Sequence, residues 1–123
     1  DDQIELEAYC MSEIQLPDEL VELVAERFRA IGDPLRIRIL EQLRGGPCTV
    51  QEIVTRVGSS QQNISKHLSV LRGLGIVARE RDGVYARYSI ADESVLRLCD
   101  EVCGTLKRQV AELHKLIGEE ASA

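Results

Sequence analysis

Two short helical patterns, separated only by Gly58-Ser59, occupy the middle of the chain and constrain its fold more than any other feature. The first pattern runs from Thr49 to Val57, and Thr49 and Glu52 have the spacing of a capping box. The second begins at a cap on Ser59 or Ser60 and continues with an apolar stripe at Ile64, Leu68, Leu71 and Leu74. Two helices joined by a tight glycine-containing turn are typical of a helix-turn-helix unit.

A hairpin pattern follows this unit. Residues 76–81 and 84–90 are predicted as extended segments, and the Asp82-Gly83 pair between them is a strong hairpin signal. Arg79, Arg81 and Arg87 alternate along these segments, so we expect all three to share one face of the hairpin. Arginines in such a position suit contacts with DNA phosphates or with the minor groove.

Further helices are predicted on both sides of this region. Pro17-Asp18 begins a helix that Gly32 ends, and Asp33-Pro34 begins a second, strongly apolar helix. A long helical pattern follows Asp92 and runs to about Ile117. The predicted order is therefore α-α-α-α-β-β-α, mainly α with a small β-hairpin, which is the winged helix-turn-helix arrangement. The predicted parts are an acidic arm or short helix at 1–16, one domain at 17–118 and a tail at 119–123.

Charge is distributed unevenly along the chain. The net charge is −6, yet residues 34–90 carry nine Lys or Arg against four Asp or Glu, a net charge of +5. A basic middle between acidic ends is typical of a DNA-reading module with separate flanking helices. Chance clustering of solvated charges is the alternative.

The length of 123 residues indicates a single domain. Its core should be aliphatic, because 44% of the residues are hydrophobic and only 3% are aromatic. No stretch approaches the roughly 18 consecutive apolar residues of a membrane span. The first residues also lack the pattern of a secretory leader. We therefore expect a cytoplasmic protein without a membrane partner.

Polar residues fill the first two turns of the second helix of the helix-turn-helix unit. Glutamine and asparagine can pair with adenine through two hydrogen bonds, and serine can serve several bases. We predict that this end of the helix lies in the major groove. The predicted contacts are Ser60, Gln61, Gln62, Asn63, Ser65, Lys66 and His67. A solvated helix start is the alternative, and His67 has a second interpretation as a structural partner within the helix pair.

Three stretches of the chain resemble the ArsR/SmtB family of small bacterial winged-helix metal and stress sensors. They are FRAIGDPLRIRILEQL at 28–43, SSQQNISKHLSVLRGLGIV at 59–77 and ARERDGVYARYSI at 78–90. The resemblance implies a homodimer that represses an operator, an inverted repeat, and leaves the DNA when an inducer binds. It also implies that helices 17–31 and 92–118 form the dimer interface, and that DNA binding needs no cofactor.

The cysteines depart from the family's pattern. Family members often carry Cys-x-Cys in the third helix, where this chain has only Cys48, which we interpret as a packing residue. The family's set of Asp and His ligands in the last helix is also incomplete: Asp92 is present, but Ser94, Thr105 and Arg108 stand in the region where His ligands would lie. Cys99 and Cys103 are four positions apart and thus share one helix face, with Cβ atoms about 6 Å apart. With Cys10 as a third thiolate they form a candidate inducer site, for As(III) in preference to Cd(II) or Pb(II).

Alternatives to this interpretation stay open. In the first alternative the two thiols sense nothing and only pack at a dimer seam. They lie on an apolar stripe of the last helix formed by Cys99, Cys103, Leu106, Val110, Leu113 and Ile117. A repressor that senses thiol oxidation or persulfides is the second alternative. A winged helix that binds protein instead of DNA is the third. We predict no enzymatic activity, because the chain has no Cys-x-x-Cys, no Ser/His/Asp set on loops and no phosphate-cradling glycine loop.

Overall fold

The computed structural model describes the backbone of residues 15–122 and the side chains of residues 15–118. Its elements are α1 Asp18–Ile31, α2 Pro34–Leu43, β1 Cys48–Thr49, α3 Val50–Val57, α4 Gln61–Gly73, β2 Val77–Asp82, β3 Tyr85–Ile90 and α5 Glu93–Ser122. This order confirms the predicted helices and hairpin and adds the two-residue strand β1. The predicted arm at 1–16 lies almost wholly outside the described residues.

Side-chain caps mark where α2 and α3 begin. The Asp33 carboxylate accepts hydrogen bonds from the backbone N–H groups of Leu35 and Arg36, at 2.9 and 3.1 Å. These bonds, that of Arg36 foremost, hold the pKa of Asp33 below its ordinary value. At α3 both bonds of the predicted capping box form, since Thr49 accepts from the Glu52 N–H and Glu52 accepts from the Thr49 N–H.

The hairpin is closed by Gly83-Val84, one position later than the Asp82-Gly83 pair that predicted it. Asp82 and Tyr85 face each other as the last cross-strand pair. Gly83 has φ 64° while Val84 has a negative φ, the pattern of a turn with glycine at its first central position. Strand β1 adds to the other edge of β3, so the sheet has the order β1-β3-β2.

The core is aliphatic, as the composition predicts. Its fully buried side chains are Ile39, Leu40, Ile53, Ile64, Leu68, Leu71 and Ile76. Three of the four predicted stripe positions of α4 are among them, and the fourth, Leu74, is half-buried at the C-cap. The core thus holds one face of α4 and leaves its opposite face to solvent.

Helix α5 has two different halves. Its first turns pack on the domain through Val95 and Leu96, and Asp100 pairs at 2.8 Å with Arg44, the C-cap residue of α2. Beyond residue 99, every described side chain except Gly104 is exposed. The helix runs to Ser122, so four of the five residues assigned to a tail are helical, because Gly118 weakens a helix without stopping it. In the described part of the chain no helix is both long and apolar enough to cross a membrane.

Candidate DNA-binding surface and thiol pair

The predicted reading surface is the exposed start of α4. Gly58 ends α3 in the left-handed region at φ 82°, which turns the chain sharply into α4. The Ser60 hydroxyl accepts from the Asn63 N–H at 3.2 Å, so Ser60, not Ser59, is the cap. The exposed predicted contacts are Ser60, Gln61, Gln62, Asn63 and Lys66, while Ser65 and His67 are half-buried.

The Asn63 side chain is held before any ligand arrives. Its Nδ2 donates to the Ser59 hydroxyl at 3.0 Å, while its backbone N–H donates to the Ser60 cap. The amide keeps its carbonyl oxygen and a second N–H for another partner. Asn63 is thus an oriented donor and acceptor beside the freer side chains of Gln61 and Gln62.

His67 has a protein partner that the sequence did not reveal. Arg36 Nε donates to His67 Nδ1 at 3.0 Å, and Arg36 Nη1 donates to the Ala30 carbonyl at 3.2 Å. Arginine can only donate, so Nδ1 is the acceptor and a neutral ring carries its hydrogen on Nε2. The bond favours the structural interpretation of His67, and it makes Arg36 a bridge between the end of α1 and the middle of α4.

The three wing arginines do not share one face, so that expectation was wrong. Arg79 lies opposite Tyr88 and Arg81 opposite Ala86, whereas Arg87 lies opposite Glu80. In a hairpin closed by two residues, facing positions always differ in parity. Odd-numbered Arg87 therefore shares its face with even-numbered residues of β2. Arg79 and Arg81 are exposed on the face that continues into the core, and Arg87 is on the other face.

Cys99 and Cys103 lie together beside an apolar groove between α1 and α5. Cys99 is half-buried and Cys103 is exposed. The groove measures about 740 Å³, and its apolar lining is Phe28, Ile31, Ile37, Leu98, Val102, Leu106, Val110 and Ala111. The pair sits at the inner end of the exposed stripe of α5, as the shared face predicts.

The surroundings of the pair determine its chemistry. Burial raises the pKa of the Cys99 thiol; nearby Arg44 opposes this shift, while Asp100 and Cys103 add to it. A raised pKa lowers the thiolate fraction, which works against Cys99 both as a reactive redox thiol and as a metal ligand, since an ion must displace the thiol proton to bind. Within residues 15–118, no group of three or more His, Cys, Asp or Glu side chains is placed to hold a metal ion. A complete site needs a further ligand, and Cys10 lies outside the described residues.

Cys48 belongs to the core. Its side chain is 3% exposed, and its Sγ lies 3.4 Å from the Gly46 carbonyl and 3.4 Å from Arg56 Nη1. These contacts agree with the interpretation of Cys48 as a packing residue.

The stripe on the outer half of α5 is apolar and uncovered. Leu106, Val110, Leu113 and Ile117 are each about half exposed, and Phe28 of α1 is 53% exposed across the groove. An isolated helix is marginal in water, and in proteins most helical stability comes from packing of an apolar face. A continuous apolar surface of this kind marks an interaction site.

This protein is a winged helix-turn-helix protein. The second helix of its helix-turn-helix unit is capped and exposed at its start, and a two-stranded wing follows it. The chain belongs to the arsR family of bacterial regulatory proteins, whose sequence model matches residues 33–79.

Two sequence relatives and one solved structure agree with this assignment. The chain is 41% identical over 78 residues to the HTH-type transcriptional regulator NmtR of Mycobacterium tuberculosis, covering 63% of this chain and 65% of NmtR. The match thus spans just under two thirds of that relative. The chain is also 38% identical to the probable mercury resistance operon repressor of Streptomyces lividans, and this match covers 68% of this chain and 67% of the repressor. The homodimeric winged helix-turn-helix domain of Mb0332 from Mycobacterium bovis superposes with a TM-score of 0.71 at 28% identity, over 82% of this chain and 95% of that one.

Proposed function

We propose that this protein is a homodimeric, DNA-binding transcriptional repressor that leaves its operator when cysteine thiolates bind a soft metal or metalloid. The observation that carries the proposal is the polar start of α4, exposed on the side opposite the buried stripe of the same helix. The core fixes this helix while its first two turns stay free to enter a groove. Membership in a family of bacterial regulatory proteins supports this use.

The proposed DNA contacts divide by chemistry. Polar side chains at the start of α4 read base edges in the major groove, with Gln61, Gln62 and Asn63 suited to adenine. Lys66 on α4 and Arg79 and Arg81 on the wing are exposed cations that suit phosphates or the minor groove. His67 contributes its Nε2 side while Arg36 holds its other nitrogen.

The proposed dimer uses α1 and α5. Both helices present exposed apolar side chains to the same groove, and the structural neighbour from Mycobacterium bovis is itself homodimeric. A two-fold dimer presents two identical reading helices, so it matches an operator with inverted half-sites about one helical turn apart.

The proposed inducer site contains Cys99, Cys103 and Cys10. The two described thiols fit part of a soft-ion site, because thiolates select soft ions over hard ones. Three thiolates would complete a trigonal site for As(III), which we rank ahead of Cd(II) and Pb(II). The name of the Streptomyces lividans relative, a mercury resistance repressor, supports a soft thiophilic inducer in general.

Removing one reading side chain tests the proposed surface. We expect Gln62→Ala to weaken binding by about 5- to 150-fold, because one two-pronged base contact is worth roughly 1–3 kcal/mol. The measurement is a gel-shift titration at fixed salt, on a duplex selected from a random pool with the wild-type protein. Gln109→Ala, an exposed change on α5 outside the groove, is the matched control. Unchanged binding by both Gln62→Ala and Lys66→Ala would contradict the proposed reading helix.

Removing single thiols tests the inducer. We expect As(III) to release the selected duplex from the wild type and from Cys48→Ala, and to have no effect on Cys99→Ser or Cys103→Ser. Cys48 is the matched control because its thiol is in the core. Release is followed by fluorescence anisotropy of labelled DNA, with Cd(II), Pb(II), Zn(II) and hydrogen peroxide as parallel additions.

The remaining outcomes of this experiment separate the alternatives. A Cys10→Ser variant that behaves as wild type reduces the site to two thiols. Release by peroxide that dithiothreitol reverses, without release by metals, selects the redox alternative. If every cysteine variant still responds to As(III), the thiol site is wrong.

A further inference from the structure

Arg87 is held by two carboxylates from different parts of the fold. Its Nε donates to Asp82 Oδ2 at 2.8 Å, at the end of β2. Its Nη1 donates to Glu52 Oε1 at 3.4 Å, in the first turn of α3. The charge bridge Asp82–Arg87–Glu52 therefore connects the wing to the first helix of the helix-turn-helix unit.

The anchor at Glu52 is itself fixed. The same Oε1 accepts the Thr49 N–H at 3.0 Å in the capping box, and Oε2 lies 3.6 Å from Arg56 Nη2. Thr49 is also the cross-strand partner of Arg87. The bridge thus starts from a helix terminus with little freedom and ends near the tip of the wing.

Both guanidinium contacts are directed away from the wing face that carries Arg79 and Arg81. Arg87 and Asp82 lie on the same face of the sheet, which is the face opposite to Arg79 and Arg81. An arginine already bonded to two carboxylates has lost the excess positive charge that would attract a phosphate. Among the described wing residues, Arg79 and Arg81 form no ion pair, so they keep that charge.

We propose that Arg87 is a positioning residue of the DNA-binding surface: its bridge to Asp82 and Glu52 sets the wing against α3. This inference rests on the proposed DNA-binding function. Arg87 orients the arginines that touch DNA and does not itself bind a phosphate.

The test compares Arg87→Ala with Arg81→Ala on the selected duplex, in full-length protein, over a series of NaCl concentrations. Loss of a phosphate contact lowers the steepness of log K against log salt by about 0.9. We expect that change for Arg81→Ala. For Arg87→Ala we expect binding about 5- to 10-fold weaker with the steepness unchanged, the scale of one coupled contact. Exposed ion pairs add little to stability, so melting temperatures should stay close to that of the wild type.

A double-mutant cycle supplies the readout that a merely structural role would not move. If Arg87 acts through the wing, Arg87→Ala costs little further affinity once Arg79 and Arg81 are both alanine. Asp82→Asn should weaken binding relative to Glu80→Gln, which removes an acid from the same strand and face without breaking the bridge. An additive loss with a lower salt steepness for Arg87→Ala would overturn the inference and make Arg87 a phosphate contact.

The two levels of the proposal fail differently. If the wild type shows no salt-dependent affinity for any duplex, the DNA-binding function itself is wrong. If Gln62→Ala and Arg81→Ala behave as expected and Arg87→Ala follows Arg81→Ala, only the role of Arg87 is wrong.

Discussion

Leu68→Ala is expected to lower the free energy of unfolding by about 2–5 kcal/mol, the range for truncating a fully buried leucine. Leu68 has no exposed surface, and it lies on the stripe that fixes α4 to the rest of the domain. The loss combines the transfer free energy of the removed carbons with the cost of the cavity that remains. The measurement is urea denaturation followed by circular dichroism at one fixed protomer concentration, because dimer stability depends on concentration.

The neighbouring position provides the control for this change. Ser69 is exposed on the same helix, and Ser69→Ala should change stability by less than about 0.5 kcal/mol. A loss below about 1 kcal/mol for Leu68→Ala would mean that α4 is not anchored through this stripe. DNA binding by Leu68→Ala at low temperature, where the fold persists, would show whether the reading surface tolerates weaker packing beneath α4.

Val110→Asp is expected to convert the proposed dimer to a monomer and to lower operator affinity by about 100-fold or more. Val110 is 49% exposed and lines the groove between α1 and α5. An unpaired carboxylate buried in an apolar seam is costly, and a monomer loses the gain from binding two half-sites at once. Sedimentation velocity measures the change in mass, and the gel-shift titration measures the change in affinity.

Thr105→Asp is a close control, because threonine and valine have the same shape and the same single charge is added. Thr105 is exposed on α5 and does not line the groove. The Thr105→Asp variant should remain dimeric and bind DNA as the wild type does. A dimeric Val110→Asp would place the interface elsewhere, whereas a monomeric wild type would remove the proposed dimer altogether.

Local features of this fold could be predicted from the sequence because their causes lie within a few residues. The Thr49–Glu52 capping box, the Asp33 cap and the left-handed Gly58 each follow from side chains or backbone at the site itself. The buried stripe of α4 follows in the same way from helical periodicity. Together these features specify the helix-turn-helix unit before any tertiary contact is considered.

Contacts between distant residues could not be predicted. Arg36 and His67 are 31 positions apart, and no pattern in either segment signals that they meet. The bridge from Arg87 to Glu52 spans 35 positions and depends on how the sheet sits against α3. The face of Arg87 is a different case, because it could have been predicted. Facing positions across a two-residue turn differ in parity, so odd-numbered Arg87 cannot share a face with odd-numbered Arg79 and Arg81.

The thiol pair falls between these cases. Its shared helix face follows from the four-residue spacing of Cys99 and Cys103, whereas the apolar groove beside it depends on Phe28 and Ile31 of α1. The groove strengthens the interpretation of the thiols as seam residues without removing them from an inducer site. A site at a seam would respond to any change in how the two protomers meet.

The uncovered outer half of α5 also has a consequence for turnover of the protein in the cell. A protomer without its partner would carry several turns of helix with no packing beneath them, and such helices open readily. A helix that opens exposes its backbone to proteolytic attack. In the proposed dimer these turns are covered, so free protomers would be degraded faster than assembled dimers.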